Sequence, residues 1–322
     1  MSIVDKIFKI KDNNEFNDIA LQIFQFQATN VKVYKEYLKL LNINPNNITS
    51  IYDIPFLPIQ FFKSKKIISH NYIAQKIFKS SSTTGQNRSC HFLKDIELYE
   101  KSFLTSFNDF YGNIEDYIIL ALLPSYLEQG DSSLVYMVDK LIKLSKNNES
   151  AFVTNKNIIE KSRKIDNQKK VILIGVSHAL LELSKEHELD LSSWIVIETG
   201  GMKGRRKEMV RKDLHMHLTR RFNLTKIHSE YSMTELLSQA YSKGDGVFYC
   251  PTWMRVIIRD LDDPLNICSF NKTGGVNIID LANYYSCSFI ATQDLGRYYK
   301  DSSFEILGRF DNSDIRGCNL LV

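Results

Sequence analysis

An α/β fold is what this sequence predicts: a mainly parallel sheet covered by helices, followed by a smaller β-rich subdomain. Between about Gln75 and Phe222, short β-branched runs alternate with segments of helical periodicity, the pattern of successive strand–helix–strand units. Beyond about Gly244 the helical segments give way to short strands separated by turns. A chain of 322 residues that is 43% hydrophobic can bury a large core, in one big domain or two closely joined subdomains.

The elements follow in order. From Glu15 to about Leu41, apolar residues recur at spacings of three and four (Phe16, Ile19, Ile23, Phe26, Tyr34, Tyr37, Leu38, Leu41), which predicts one long amphipathic helix stopped before Pro45. "IYDIPFLPIQFFKS" carries two prolines among large apolar residues and predicts an extended, buried connector. Then come "AQKIFKS" as a strand, "DIELYEKSFLTSFNDFY" as a helix opening at Asp95, "DYIILALLP" as a buried strand and "SSLVYMVDKLIKLSK" as a helix. "KKVILIGV" and "SWIVIETG" predict further strands, with helices in "SHALLELSKEH" and "RKEMVRKDLHMHLTRRF". "GVFYCP", "MRVIIRD", "GGVNIIDL", "SFIATQD" and "SFEILGR" are the late short strands. The resulting parts are a helical lead over 1–70, an α/β part over 71–243, a β-rich subdomain over 244–310 and a tail over 311–322.

Composition excludes several classes. A net charge of +4 is too small to argue for nucleic acid without a localised patch, and the basic cluster Lys203–Lys212 has the spacing of a solvated helix face. No apolar run has signal-peptide or membrane-span length, so a cytoplasmic protein that is not an integral membrane protein is expected. The five cysteines (Cys90, Cys250, Cys268, Cys287, Cys318) are scattered, with no C-x-x-C, and each reads as a free thiol. Cys318, after Arg316 and Gly317, lies in a terminal segment that could swing between two positions, or is simply a small apolar residue.

Ligands of such sheets bind beyond the carboxyl ends of the strands, which directs attention to the loops. In "KSSSTTGQNRS", a run of hydroxyls and a glycine offers donors to phosphate, and Arg88 adds a fixed charge, although the Walker spacing is absent. In "HSEYSMTELLSQ", Tyr231 could stack on a base, Thr234 could donate to a phosphate and Glu235 could hold magnesium; a helix start is the plainer alternative. "ATQDLGRYY" and "EILGRFDNSDIRG" each set a charged residue beside glycine, where Asp294 could accept from sugar hydroxyls or simply shape a turn. His215 and His217, at i and i+2 on one helix, share no face and receive no role.

Taken in this order, the segments resemble the adenylate-forming superfamily of acyl-CoA synthetases and related acid-activating enzymes. "SSSTTGQNR" is similar to its phosphate loop, with Ser82 where glycine is usual and Arg88 where lysine is usual; "ETGGMKG" to its adenine-side glycine pair; "EYSMTE" to its tyrosine-x-x-threonine-glutamate motif, with Ser232 where glycine is common; "TQDLGR" to its ribose-holding segment; and "GRFDNSDIRG" to its hinge. The resemblance covers about 75–318, where family members typically continue into a mobile domain that supplies a catalytic lysine. The whole chain, especially "LPSYLEQGDSSLVYMVDKLI", "ETGGMKGRRKEM" and "RGCNLLV", resembles the short LuxE-type acyl-protein synthetases.

The resemblance implies the amino-terminal-domain architecture of that superfamily, with 1–310 an acid-activating adenylation domain, 311–322 a hinge-like tail and Asp311 at the hinge. It further implies that ATP and magnesium activate a carboxylic acid, a fatty acid for the LuxE branch, as an acyl adenylate. The acyl group then passes to Cys318 and on to an acyl-thioester reductase subunit. Catalytic roles fall to Cys318, Thr234 and Arg88, and magnesium to Glu235. ATP or AMP contacts fall to Ser81, Ser82, Thr83, Thr84, Gly85, Gly200, Gly201, Tyr231, Asp294 and Arg309. Acyl-pocket candidates are Gln129, Ser132, Ser133 and His178, with Ser125, Tyr126, Val176 and Ser177 on the same two loops. Two other readings stay open: an acid:CoA ligase of phenylacetate type with free CoA as acceptor, and a nucleotide-binding subunit without catalysis.

Overall fold

Continuous β-branched runs need burial on both faces, and the chain meets that need by pairing them side by side. The computed structural model describes residues 2–81, 88–124, 130–166, 168–200 and 210–310. These divide into two units, one comprising 62–66 and 72–251, the other 1–61, 67–71 and the residues from 252 onward.

In the first unit the strands Tyr117–Leu122, Lys170–Val176, Trp194–Thr199 and His228–Tyr231 lie parallel in that order, with Ala151–Phe152 beyond Tyr117–Leu122. Ala240–Ser242 and Val247–Tyr249 extend the other side antiparallel. Every residue of Tyr117–Leu122 is buried, as is all of Lys170–Val176 except Lys170, which accounts for their unbroken apolar sequences. The predicted helices appear as Ile96–Tyr111, Ser133–Leu144, Ser177–Glu186 and Arg211–Arg221. Asp95 Oδ1 accepts from Glu97 N at 2.9 Å and caps the first of these; Ser132 caps the second. Gly175 lies where the chain turns into the Ser177–Glu186 helix, and a Cβ there would come within 2.7 Å of the Leu180 side chain. A separate antiparallel hairpin, Lys76–Lys79 with Cys90–Leu93, frames the Ser/Thr-rich loop.

In the second unit Met254–Arg259, Thr273–Asp280, Phe289–Tyr298 and Ser303–Arg309 form an antiparallel sheet. Leu57–Pro58 joins it in parallel against Phe289–Tyr298, so the connector is only partly extended. It also contains the turn Ile51–Asp53 and the short helix Phe61–Ser64. Phe24, Tyr34, Phe56 and Phe289 pack edge-on or stacked at centroid distances of 5.9–6.3 Å. Buried Gln27 ties the helices to the segment before that strand, donating to Asn283 O and Tyr284 O at 3.0 Å and accepting from Ser288 N at 2.9 Å.

The long helix expected over 15–41 is in fact two, Asn13–Asn30 and Lys32–Leu40, broken at buried Val31 with φ −99° and ψ 101°. The carbonyl of Asn30 accepts from His70 N at 2.9 Å, and His70 Nδ1 lies 2.8 Å from the same oxygen. A bond to a distant residue has replaced the helical one. Among the described residues no helix is long and apolar enough to cross a membrane.

Candidate functional site

The foot of the Ser/Thr-rich loop is held by one carboxylate. Asp131 Oδ2 accepts from Lys79 Nζ at 3.1 Å and Oδ1 from Arg88 Nη2 at 3.0 Å, while its carbonyl accepts from Lys79 N at 2.9 Å. Arg88 Nε also donates to Ser80 O at 2.5 Å, and Ser89 N to Ser80 Oγ at 3.0 Å. Burial would raise the pKa of Asp131, but hydrogen bonds from Lys79 and Arg88 hold it below the usual carboxylate value. Ser81 lies at the start of the loop; Ser82, Thr83, Thr84 and Gly85 lie outside the described residues.

Of the acyl-pocket candidates, Ser132 uses its hydroxyl as the helix cap, accepting from Val135 N at 3.4 Å. The Ser133 carbonyl accepts from Tyr99 Oη at 3.1 Å. His178 is half-buried in the first turn of its helix. Ser125, Tyr126 and Gln129 lie outside the described residues.

At the carboxyl end of the next strand, Gly200 has φ +70°, a backbone region open to glycine and costly for other residues. The Ser177 hydroxyl reaches both the Gly200 carbonyl and Glu198 Oε1. Glu198 Oε2 faces His215 Nε2 at 3.8 Å and Arg211 Nε at 4.0 Å. Burial alone would raise this carboxyl, yet His215, Arg211 and Ser177 hold it below the usual value. Ser229 Oγ lies 3.3 Å from the same His215 nitrogen, so the ring cannot relay a proton from serine through imidazole to carboxylate. Gly201 lies outside the described residues.

Tyr231 ends its strand, 8% exposed, with its ring edge-on to Phe248 at 6.0 Å. Thr234 and Glu235 follow in a turn closed by Leu236 N to Met233 O at 3.1 Å, and not at a helix start. His91, buried beside Phe62, sits with Nδ1 2.8 Å from Thr234 O; a carbonyl only accepts, so that nitrogen carries the proton. Glu235 is 6% exposed, and among the described residues no group of three metal-binding side chains is assembled. A lone buried carboxylate fits magnesium only in its usual mode, with phosphate oxygens and waters completing the shell.

In the other unit, Asp294 and Arg309 are cross-strand partners, with Arg309 Nε 3.2 Å from Asp294 Oδ1. Thr292 Oγ1 accepts from Asp294 N at 3.0 Å. Beside them Arg259 donates to Val276 O, Asn277 Oδ1 and Thr292 O at 2.7–2.8 Å and lies 5.6 Å from the Phe310 ring centroid. Asp311, Arg316, Gly317 and Cys318 lie outside the described residues. Asp131, Glu198 and His91 were not singled out by sequence, and His215 was given no role there; for Glu198 and Asp131 the available signal was a place near a strand's carboxyl end or just before a helix.

No family model and no curated protein matches the chain. Solved structures do. A crystal structure of 2-hydroxyisobutyryl-CoA ligase in complex with 2-HIB-AMP and CoA superposes with a TM-score of 0.64 at 11% identity, covering 94% of this chain and 72% of that one. The fold is that of the adenylate-forming enzymes' amino-terminal domain. The same ligase in its postadenylation state, with 2-HIB-AMP, also gives 0.64 at 11% identity, over 94% and 69% of the two chains. ATP-bound MatB from Rhodopseudomonas palustris gives 0.54 at 16% identity, over 72% of this chain. The chain spans 47% of the length of that protein. The expected α/β architecture is thereby borne out.

Proposed function

We propose that this chain activates a carboxylic acid with ATP and passes the acyl group to a thiol. The observation that carries the reading is the position of Tyr231, Thr234 and Glu235 at the carboxyl end of a parallel strand. That end is where such sheets take ligands, in a fold whose solved structures include complexes with ATP and with 2-HIB-AMP.

In the first step a carboxylate oxygen attacks the α-phosphorus and pyrophosphate leaves. The reaction needs charge neutralisation and in-line placement more than a base. Thr234 would donate to the α-phosphate, and Glu235 would hold magnesium, which supplies positive charge to the phosphates when bound. Ser81 and the hydroxyls of the same loop suit pyrophosphate. Tyr231 and Gly200 would serve the adenine side, and Asp294, fixed by Arg309, the ribose. In the second step a thiolate sulfur attacks the acyl carbon and AMP leaves with the carboxyl oxygen.

Free CoA is the acceptor best supported by the likeness to 2-hydroxyisobutyryl-CoA ligase, solved in complex with 2-HIB-AMP and CoA. Transfer to Cys318, and from there to a reductase subunit, is the second reading; the terminal "RGCNLLV" and its resemblance to the acyl-protein synthetases favour it.

The purified protein incubated with magnesium, ATP and a panel of fatty and aryl acids should release pyrophosphate in an acid-dependent way. Acyl-CoA appearing only when CoA is added supports the first acceptor. An ATP-dependent, hydroxylamine-labile mass adduct without CoA, lost in Cys318→Ser, supports the second. No acid-dependent pyrophosphate under any condition would sink the whole reading.

A further inference from the structure

The small surplus of positive charge is unevenly placed. Between Asp53 and Asp95 the chain carries seven lysines and arginines and no acidic residue, although acids and bases nearly balance over the whole sequence. Of these cations, Lys79 and Arg88 are taken up by Asp131, and Lys76 lies over the Phe78 and Tyr136 rings. Lys63, Lys65 and Lys66 are exposed, and Lys94 Nζ lies 4.7 Å from the Tyr72 ring centroid.

The hairpin Lys76–Lys79 with Cys90–Leu93 sorts its residues by face. Phe78 and His91 are cross-strand partners and both are 1% exposed, so they point inward. Ile77 and Phe92, also partners, therefore point the other way, with Ile77 38% exposed and Phe92 half-buried. Lys66 Nζ lies 5.6 Å from the Phe92 ring centroid, which brings the lysines to that outer face. Just before the strand, Ile73 is 89% exposed.

Aliphatic side chains and ammonium groups on one surface select among partners. A polyanion such as RNA meets the lysines but gives Ile73 and Ile77 no apolar phase to enter. A protein interface favours arginine and is depleted in lysine, whereas the cations left to this face are all lysines. A lipid surface meets both needs: anionic headgroups for mobile ammoniums on long stems, and a hydrocarbon boundary for isoleucine.

We propose that this outer hairpin face, with Ile73, Ile77 and Phe92 beside Lys65, Lys66 and Lys94, docks the protein reversibly on an anionic lipid surface. The same hairpin frames the Ser/Thr-rich loop, so docking brings that loop toward the layer into which apolar acids partition. The inference stands whether or not the chain activates an acid.

Its test sediments the full chain with vesicles of phosphatidylcholine alone and of phosphatidylcholine mixed with phosphatidylglycerol. Binding is expected to the mixed vesicles alone, weakening as salt rises from about 0.1 M to about 1 M and the Debye length falls from about 10 Å to about 3 Å. The double variant Lys65→Glu, Lys66→Glu should lower the partition coefficient at least about tenfold. Ile73→Ser should lower it severalfold. Lys156→Glu, at an exposed lysine outside the patch, should change it little. The fluorescence of Ile73→Trp should shift to the blue on mixed vesicles. No binding to mixed vesicles overturns the proposal, and so does binding that Ile73→Ser and the double variant leave unchanged. A loss in Lys156→Glu as large as in the double variant overturns it too, since net charge alone would then suffice. Equally tight binding to RNA, with no blue shift in Ile73→Trp, would reassign the face to a polyanion. A dimer that Ile73→Ser dissociates, without vesicle binding, would reassign it to a second copy of the chain.

Discussion

Arg88 is ion-paired with Asp131, Nη2 to Oδ1 at 3.0 Å, so the cation expected to face phosphate also braces the foot of the loop. Its guanidinium fork contacts Asp131 and the Ser80 carbonyl together, a geometry that a lysine ammonium cannot reproduce. Arg88→Lys should therefore raise the Kd for magnesium–ATP by about tenfold, or ~1.4 kcal/mol. It should cost less than about 1 kcal/mol of stability, because the pair is part-exposed. Asp131→Asn should weaken nucleotide binding too. Tighter binding in Asp131→Asn, measured by calorimetry, would show instead that Arg88 acts as a free phosphate-binding charge.

His228 provides a pH dependence. Its Nδ1 lies 3.3 Å from Tyr111 Oη, and burial, aided by Lys226 and Lys243, pushes its pKa from 6.5 down to about 4. The folded state thus holds the ring neutral while the unfolded chain protonates it near 6.5. The resulting stability is fully present above 6.5 and is lost as the pH falls toward about 4. With screening allowed for, the loss should be about 1–2 kcal/mol. Urea unfolding across this window should show it in wild type and a flatter profile in His228→Gln.

What sequence could reveal follows from the range of each interaction. "YIILAL" and "VILIGV" were readable because burial on both faces writes a continuous apolar run, and Asp95 because a cap lies next to its helix. The break at Val31 was not, since the partner of the Asn30 carbonyl is His70, forty residues away. His215 and His217 were correctly read as facing different ways, His217 reaching Ser184 Oγ at 3.1 Å. Yet the role of His215 depends on Glu198 and Ser229, which parallel pairing sets side by side, and no spacing within one helix records that. Gln129, Gly201 and Cys318, which the sequence also points to, lie outside the described residues.

Gly275 tests the packing beside Asp294. A Cβ there would lie 2.5 Å from Arg259 Cζ, and the guanidinium is pinned by Val276 O, Asn277 Oδ1 and Thr292 O. Gly275→Ala must push it off those acceptors, at an expected cost of about 1–3 kcal/mol. Because Thr292 also accepts from Asp294 N, nucleotide affinity should fall together with the denaturant midpoint. Unchanged affinity in a destabilised variant would mean that the Arg259 network supports the fold alone.

Glu198 is the sharper test of the unpredicted cluster. Its carboxylate is buried and meets His215 and Arg211 on one oxygen and the Ser177 hydroxyl on the other. Burial raises its pKa less than these three lower it, so the folded value lies below the unfolded one. The stability it contributes is then present above the unfolded carboxylate value and disappears as the pH falls through the folded one. Glu198→Gln keeps the shape and an acceptor for Ser177, but removes the negative charge that faces Arg211 and His215. At neutral pH it should cost about 2–3 kcal/mol. The gap from wild type should close on acidification, because protonated Glu198 then resembles the amide. Unfolding curves of the two proteins that stay parallel from neutral to acid pH would mean that the cluster is held by packing and hydrogen bonds, with charge contributing nothing.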